Sequence, residues 1–563
     1  MATVVVRPYS PRAAKDRGNF VTVAHQRLML VLVLFIAVTM LVILRLLWMG
    51  VSTDGLRGGE GLSGMTPPRA DIVDRNGVPL ALTMDAYSIA VRPKKLIGDP
   101  DELAESLARI FPDQSVDEFR RKLTSGRWSY LRKRALPEQV AAVNALGEPG
   151  IEFPREKERL YPQRTLAAHL LGFVPVDGQG GMGVEAAFDQ RLADPAMRGR
   201  PFAASIDTRV QAALESELYN QLVAQKAKGA AGIVLDANTG EVIAMASLPV
   251  FDPNKLGKDD SGRRNDVVQS RYELGSTFKP LSIAAAMDAG IVTSMSKRYD
   301  ATAPLQVAGF RIKDDHPLKR WLNVPETLVH SSNIATARIA DEMGPGPLQK
   351  LYRDLEFDQR PSIELKERAR TLWPTTWGRI TTMTVSYGHG IAVTPLHLAS
   401  AYAALVNGGI WRPATVRKLS ADEVPEGRRV FSAATSARMR QLLRMIVSDG
   451  TGRSADAKGY RVGGKTGSAE KPFEGGYAHH SLVTTFAAAF PMDNPKYIVL
   501  AMMDEPKGNA ETFGLRTAAW TAAPVVKRVI ERTGPMLGVI PDERRDVDIS
   551  ELSPLLHGDK EAE

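Results

Sequence analysis

Three short stretches of the chain hold residue types that together could run acyl transfer. The first is Ser276-Thr277-Phe278-Lys279. Spacing i, i+3 sets the Ser hydroxyl and the Lys amine on one helical face, close enough to exchange a proton. An apolar site makes the Lys charge easier to lose, because desolvation disfavours the ammonium. A neutral Lys279 can take the proton of Ser276 and leave an activated nucleophile. Pro280 is tolerated only near a helix start, so the helix N-terminus falls beside Ser276, where unpaired backbone N–H groups can hold a developing oxyanion. The second stretch, Ser331-Ser332-Asn333, lies 55 residues on, in a segment (TLVHSSNIATARIA) that turns into helix. The third, Val462–Ala469 (VGGKTGSA), lies on an expected strand, its Lys465 134 residues beyond Ser331. Its glycines let another backbone come close, and Lys465 beside them is suited to a carboxylate.

Each stretch has an ordinary reading when taken alone. S-x-x-K recurs at Ser294–Lys297 and Ser468–Lys471 and is commonly a helix start. Ser331-Ser332-Asn333 is a helix N-cap. The third is a Gly-rich bulge with a surface Lys. What points to chemistry is the company they keep, in the order S-x-x-K, S-x-N, K-T-G.

The elements that must position these residues follow from pattern. Glu241–Ser247 and Ala230–Asp236 are apolar, strand-like runs joined by Asn238-Thr239-Gly240, a hairpin signal. Asp207–Gln225 reads as an amphipathic helix. Ser276–Gly290 reads as a helix apolar nearly all round, hence buried, and Thr394–Val406 as a second Ala-rich helix ended by Asn407-Gly408-Gly409. Tyr460–Ala469, Ser481–Phe490 and Tyr497–Met503 are strand-like, and Ala518–Arg532 closes with a helix. Two early strands, helices between and three late strands predict an α+β unit over 205–540 whose antiparallel sheet is built from both ends of the segment. Residues 65–204 are mixed: a hairpin signal at Asp71–Leu82, helices at Asp101–Ile110 and Val116–Lys122, and Gly-rich stretches from Arg159 to Leu192 without a helical period. Lacking a concentrated polar constellation, they read as a non-catalytic pedestal.

Composition bounds the chemistry. The 563 residues include no Cys, which excludes disulfides, thiolate nucleophiles and cysteine zinc sites. Any nucleophile is an oxygen, a nitrogen or a bound water. The balance of 72 Lys+Arg against 64 Asp+Glu, a net +8, is too dilute to suggest nucleic acid. Half of it sits in residues 1–27, where Arg7, Arg12, Lys15, Arg17 and Arg27 oppose Asp16. Leu28–Met49 then supplies a run long enough for the roughly 30 Å core of a bilayer. The basic flank predicts a cytoplasmic N-terminus with the bulk exported, and the run is longer than a cleavable signal requires. A Gly-rich linker is expected at 50–64, and a solvated acidic tail of net −5 at 541–563.

In this order, S-x-x-K, S-x-N and K-T-G are the signature of the penicillin-interacting serine enzymes. The chain resembles the class B penicillin-binding proteins, and among them the division-specific peptidoglycan transpeptidases, from the apolar anchor to about residue 532. Asp74-Arg75-Asn76-Gly77, Gly181–Glu185, Ser205–Gln211, Thr239-Gly240-Glu241, Phe251–Asn254, Ser386–Gly390 with Val393-Thr394-Pro395, and Asn407-Gly408-Gly409 look typical of that family. Ala70, Leu274 and Ser468 depart from its usual Gly, Pro and Thr without removing a catalytic group. The resemblance implies a penicillin-binding transpeptidase fold on a dimerisation-type pedestal with one transmembrane helix. It implies that Ser276 attacks the D-Ala–D-Ala carbonyl of a stem peptide with Lys279 as base. Ser331, with Lys465, relays the proton to the leaving amine, and Asn333 orients Lys279 and the substrate amide. Lys465 and Thr466 receive the terminal carboxylate. Gly467 and Ser468 complete the binding strand, with the N–H groups of Ser276 and Ser468 as oxyanion hole. A second stem peptide resolves the acyl-enzyme into a cross-link, and β-lactams acylate the same Ser. No metal or cofactor is required. The implied partner is a polytopic glycosyltransferase of the division machinery, and the implied location the division septum in the cytoplasmic (inner) membrane. The alternatives are an elongation-specific transpeptidase, a carboxypeptidase or β-lactam hydrolase with the same motifs, and a non-enzymatic β-lactam sensor or division scaffold.

Overall fold

The computed structural model describes residues 12–51, 69–175, 178–257, 260, 262–473 and 476–556. Residues 1–11 and 557–563, and nearly all of the expected linker, lie outside the described residues.

Helix α1 (Arg12–Val51) extends past the expected span at both ends. Its stretch Gln26–Arg45, mean hydropathy 2.9, is exposed along its length among the described residues and is long and apolar enough to cross a membrane.

After the gap, Ile72–Val73 turns through Asn76-Gly77 into the long strand Pro79–Val91. Gly77 has φ +88°, which the turn requires and a side chain resists. The long strand pairs with Ser129–Ala135, Ile151–Glu152 and Arg155–Leu160. Helices Pro100–Ile110 and Val116–Thr124, capped by Asp99 and Ser115, lay Leu103, Leu107 and Phe119 onto Ile89, Val91 and Leu131. The Gly-rich stretch lacking a helical period forms short helices at Ala168–Leu171, Gly183–Ala187 and Asp189–Ala193. They close around a buried Glu185, whose oxygens accept from Arg69 Nε at 3.1 Å and Arg159 Nε at 2.7 Å. Two cations on one carboxylate satisfy a charge that burial alone would penalise.

Two family-typical motifs join this unit to the following one. Asp74, 1% exposed, accepts from the N–H and hydroxyl of Thr208, and Asn76 Nδ2 donates to Asp207. Asn254 reads the backbone of Tyr161 in both directions, donating to its carbonyl and accepting from its N–H.

Asp207 caps helix α2 (Thr208–Ala224), which precedes strands β1 (Gly229–Asp236) and β2 (Val242–Leu248). Later come β3 (Gly463–Phe473), β4 (Gly476–Phe490) and β5 (Tyr497–Asp504). The sheet order is β3-β4-β5-β1-β2, antiparallel throughout, so both ends of the segment build it as expected. Side chains alternate between its faces. Val234, Val499, Ala501 and Met503 pack under α2 and the closing helix Ala522–Thr533. Ile233, Leu235, Ile498, Leu500 and Met502 face the helical layer on the other side. That layer comprises α3 (Lys279–Asp288), α4 (Val324–Val329), α5 (Asn333–Met343), α6 (Pro395–Val406) and α7 (Ala433–Ser448). The active motifs lie where this layer meets the edge strand β3.

The acidic tail does not match its expectation. Residues 541–556 lie on α7 and on the approach to β3, with Leu552 buried and Asp546 bound bidentately by Arg444. Asp546 and Glu551 pair with Arg444 and Arg438 of α7 while staying partly exposed to water.

Candidate active site

Ser276 sits in a 3-10 turn, Gly275–Phe278, and Lys279 opens α3. The helix therefore starts three residues later than the pattern suggests, while Pro280 takes the second helical position where its missing N–H costs nothing. One backbone dihedral and three contacts fix the turn. Gly275 has φ +54°. Thr277 Oγ1 donates to Leu274 O at 2.8 Å, and Tyr402 on α6 donates its buried hydroxyl to Thr277 O at 2.8 Å. Gly467 of β3 comes so close that a Cβ there would stand 2.3 Å from Leu274 O. The glycine of K-T-G is thus what lets the strand touch the nucleophile turn.

Lys279 and Lys465 are both 0% exposed. Lys279 Nζ donates to Ser331 O at 2.5 Å and to Ser331 Oγ at 3.1 Å, and Lys465 Nζ lies 2.9 Å from the same Oγ. One hydroxyl thus bridges the two amines. Among the described residues the Ser276 hydroxyl has no hydrogen-bond partner, so its oxygen is not tied up by a neighbour. Ser331 adopts φ +59°, a left-handed conformation that costs a non-glycine residue energy and recurs at functional sites. It directs both its carbonyl and its hydroxyl at Lys279.

Burial pushes the Lys279 pKa down to about 7, with Asp314 and Asp315 opposing the shift. Burial, then repulsion from Lys279, holds Lys465 well below the usual lysine range. Two adjacent buried amines cannot both stay charged without an anion. The standing cation expected at Lys465 is therefore conditional: its charge is favoured only when a carboxylate arrives.

Thr466 Oγ1 lies 3.1 Å from Lys465 Nζ and donates to Thr451 Oγ1 at 3.2 Å. Ser468 Oγ accepts from Ala518 N at 3.0 Å, so this hydroxyl secures the 505–521 loop. Asn333 stands at the start of α5, but its amide donates to Lys313 O at 2.9 Å and makes no hydrogen bond to Lys279. Lys279 is held by hydrogen bonds to Ser331 instead.

Asp314 is the residue that sequence reasoning missed. It accepts from Ser332 Oγ at 2.8 Å, Asn333 N at 2.6 Å and Ile334 N at 3.0 Å, capping α5 from a separate loop. It lies 18 residues before Ser332, and no local pattern marks such a cap. Tyr402 and Thr451 are likewise invisible to motif spacing. The competing S-x-x-K pairs separate cleanly. Ser294 bonds Ser296 and Lys297 bonds Glu342 at the surface, while Lys471 is paired with Asp504 and Glu505.

Residues 230–531 match the penicillin-binding protein transpeptidase domain family, and residues 64–194 the penicillin-binding protein dimerisation domain family. The chain is 41% identical over 503 residues to the probable peptidoglycan D,D-transpeptidase FtsI of Caulobacter vibrioides, covering 87% of this chain and 85% of that protein. The chain is a class B penicillin-binding protein. Peptidoglycan D,D-transpeptidase FtsI of Escherichia coli K12 is 28% identical over 583 residues, 96% of each chain. Penicillin-binding protein 3 of Mycobacterium tuberculosis, in complex with aztreonam, shares the fold with a TM-score of 0.67 at 24% identity, over 85% of this chain and 98% of that one. The transpeptidase match follows the dimerisation-domain match along the chain, and the three motifs converge where the edge strand meets the helical layer.

Proposed function

We propose that the chain is a peptidoglycan D,D-transpeptidase that cross-links stem peptides through an acyl-enzyme on Ser276, in septal wall synthesis. The observation that carries this reading is the hydrogen-bonded row Lys279–Ser331–Lys465, with Ser276 in the turn that leads into Lys279 and its hydroxyl without a hydrogen-bond partner among the described residues.

The steps follow from that row. The donor's terminal carboxylate docks at Lys465 and Thr466, and its charge raises the Lys465 pKa so that this amine takes up a proton. Neutral Lys279, its pKa near 7, accepts the Ser276 proton as Oγ attacks the D-Ala–D-Ala carbonyl. N–H groups of Ser276 and Ser468 stabilise the tetrahedral oxyanion. The C–N bond then breaks, the leaving amine receives a proton from Lys465 through Ser331, and D-Ala departs. An amine of a second stem peptide attacks the ester, its proton passes through Ser331 to the now neutral Lys465, and Lys279 returns its proton to Ser276 Oγ as the C–O bond breaks and the new amide leaves. Substrate therefore brings the charge that readies the proton donor. An empty site holds both lysines poorly charged and spares the fold two buried cations.

Residues 28–49 anchor the chain in the cytoplasmic membrane with residues 1–27 inside, and residues 65–204 act as a pedestal that lifts the catalytic unit, 205–540, toward the wall. The membrane partner is a polytopic glycosyltransferase of the division machinery, whose glycan strands supply the stem peptides. A reporter penicillin followed by peptide mapping tests the site: the adduct is expected on Ser276 and absent in Ser276→Ala, and an adduct on Ser294 or Ser468 refutes the assignment. Lipid-linked pentapeptide precursor tests the reaction. Cross-linked product supports the reading, and D-Ala release without it identifies a carboxypeptidase.

A further inference from the structure

We infer that the C-terminal segment 541–556 is a strap that sets the Lys465 strand, with Arg444 and Asp546 as positioning residues for acylation; this rests on the site assignment above. Arg444 lies on α7 with its side chain 10% exposed. A guanidinium so buried needs its donors filled. Its Nε and Nη2 bind both oxygens of Asp546, with contacts of 2.8–3.0 Å. Nη1 donates to Asp456 at 2.9 Å and to the backbone carbonyl of Val462 at 3.0 Å. Val462 stands three residues before Lys465. At the next residue, Gly463, a Cβ would meet the Arg444 backbone N at 3.0 Å, so β3 begins in direct contact with α7. One side chain therefore ties the tail to the root of the catalytic strand.

The strap holds other parts of the same machinery. Asp542 N donates to Gly459 O at 2.9 Å, and Asp493 bridges Arg545 of the tail to Arg461 at the foot of β3. At its far end Leu555 O accepts from Asn323 Nδ2 at 2.6 Å. Asn323 caps α4, which runs directly into the Ser331 turn. The tail thus spans the two elements that bring Lys465 and Ser331 together, and the 2.9 Å contact between them depends on their relative placement. Without the Asp546 charge, the guanidinium is drawn to Asp456 and toward solvent, and the Val462 carbonyl loses its donor.

The test is saturable acylation of the full-length protein by a reporter penicillin. Rate constants are normalised to titrated active sites, with folding followed by thermal melting. For Asp546→Asn the first-order acylation constant is expected to fall about tenfold while the non-covalent dissociation constant changes little, as for a reactive group displaced by a fraction of an ångström. Asp546→Glu restores most of the rate. Asp85→Asn, which breaks an exposed pair with Lys157 in the pedestal, leaves it unchanged. Arg444→Lys, which keeps a cation but cannot bridge Asp546 and Val462 at once, lowers the rate like Asp546→Asn and serves if that variant does not fold. The inference is overturned if folded Asp546→Asn acylates within twofold of wild type. It is also overturned if Asp85→Asn loses as much, or if the loss lies only in the number of active sites. An adduct that maps away from Ser276 in the wild type would instead refute the site assignment.

Discussion

Gly467→Ala isolates the contact on which the site's geometry rests. A Cβ at this position would stand 2.3 Å from Leu274 O and 2.8 Å from Thr277 Cγ2. Neither neighbour yields cheaply. Leu274 O is backbone and already accepts from Thr277 Oγ1, and Thr277 O is held by the buried Tyr402 hydroxyl. Ordinary contact begins near 3.4 Å, so strand and turn must part by about 1 Å. On its other side β3 is pinned to β4, with Gly467 opposite Thr485, so the displacement falls on the gap between β3 and Ser276. Overpacking of this kind costs about 1–3 kcal/mol of stability. A misplacement of about 1 Å at a reacting centre costs on the order of 10²-fold in rate, equivalent to about 2.7 kcal/mol of barrier. Acylation by a reporter penicillin, corrected for the folded fraction at each temperature, measures the effect. Gly346→Ala serves as the control, because nothing lies within 4 Å of its Cβ. A folded Gly467→Ala protein that acylates within threefold of wild type would refute the claim that close approach of β3 to the nucleophile turn sets the chemistry.

Other perturbations probe the charges. Acylation by wild type should rise with pH up to about 7, the Lys279 pKa, and fall about tenfold per unit well below it, as read from a pH–rate profile. Asp314 opposes the downward shift of Lys279, so Asp314→Asn moves the midpoint of that profile to lower pH; an unmoved or raised midpoint contradicts the electrostatic role. Lys279→Met abolishes acylation and stabilises the fold. The folded-state pKa is depressed from 10.5 to about 7, so between these values the unfolded chain holds a proton that the folded chain lacks. Wild-type stability therefore rises with pH across that window, and the advantage of Lys279→Met must shrink from pH 7 to pH 10 in thermal melts. Glu185→Gln strips the carboxylate from two buried arginines, and calorimetry should show a loss of about 3–5 kcal/mol with Ser276 acylation per folded molecule preserved.

What was legible in the sequence and what was not divides along the range of the interactions. The S-x-x-K, S-x-N and K-T-G stretches are local, and each carries its own backbone requirement. Pro280 marks a helix start, Ser332 caps α5, and Gly467 opens a strand to a neighbour. Continuous apolar runs over Tyr497–Met503 and Ala230–Asp236 made the sheet readable, because strands packed on both faces are apolar at nearly every position. Asp314 was not readable, since a carboxylate that caps a helix from another loop is set by tertiary placement alone. Charge counting misled twice for one reason: it assigns each ionisable group its solution value. At Lys465 burial and a second lysine remove that value. In the tail, net −5 predicts solvation, and Asp546 and Glu551 do stay partly exposed, yet Arg444 and Arg438 pair with them and Arg461 donates to the Asp542 carbonyl. A signal was present: Val547, Ile549, Leu552, Leu555 and Leu556 recur among the acids, and all pack on the main core. A solvated tail has no use for apolar residues at that density. Charge decides whether a segment can remain in water, but apolar spacing decides whether it does, and here the second criterion reads correctly where the first fails.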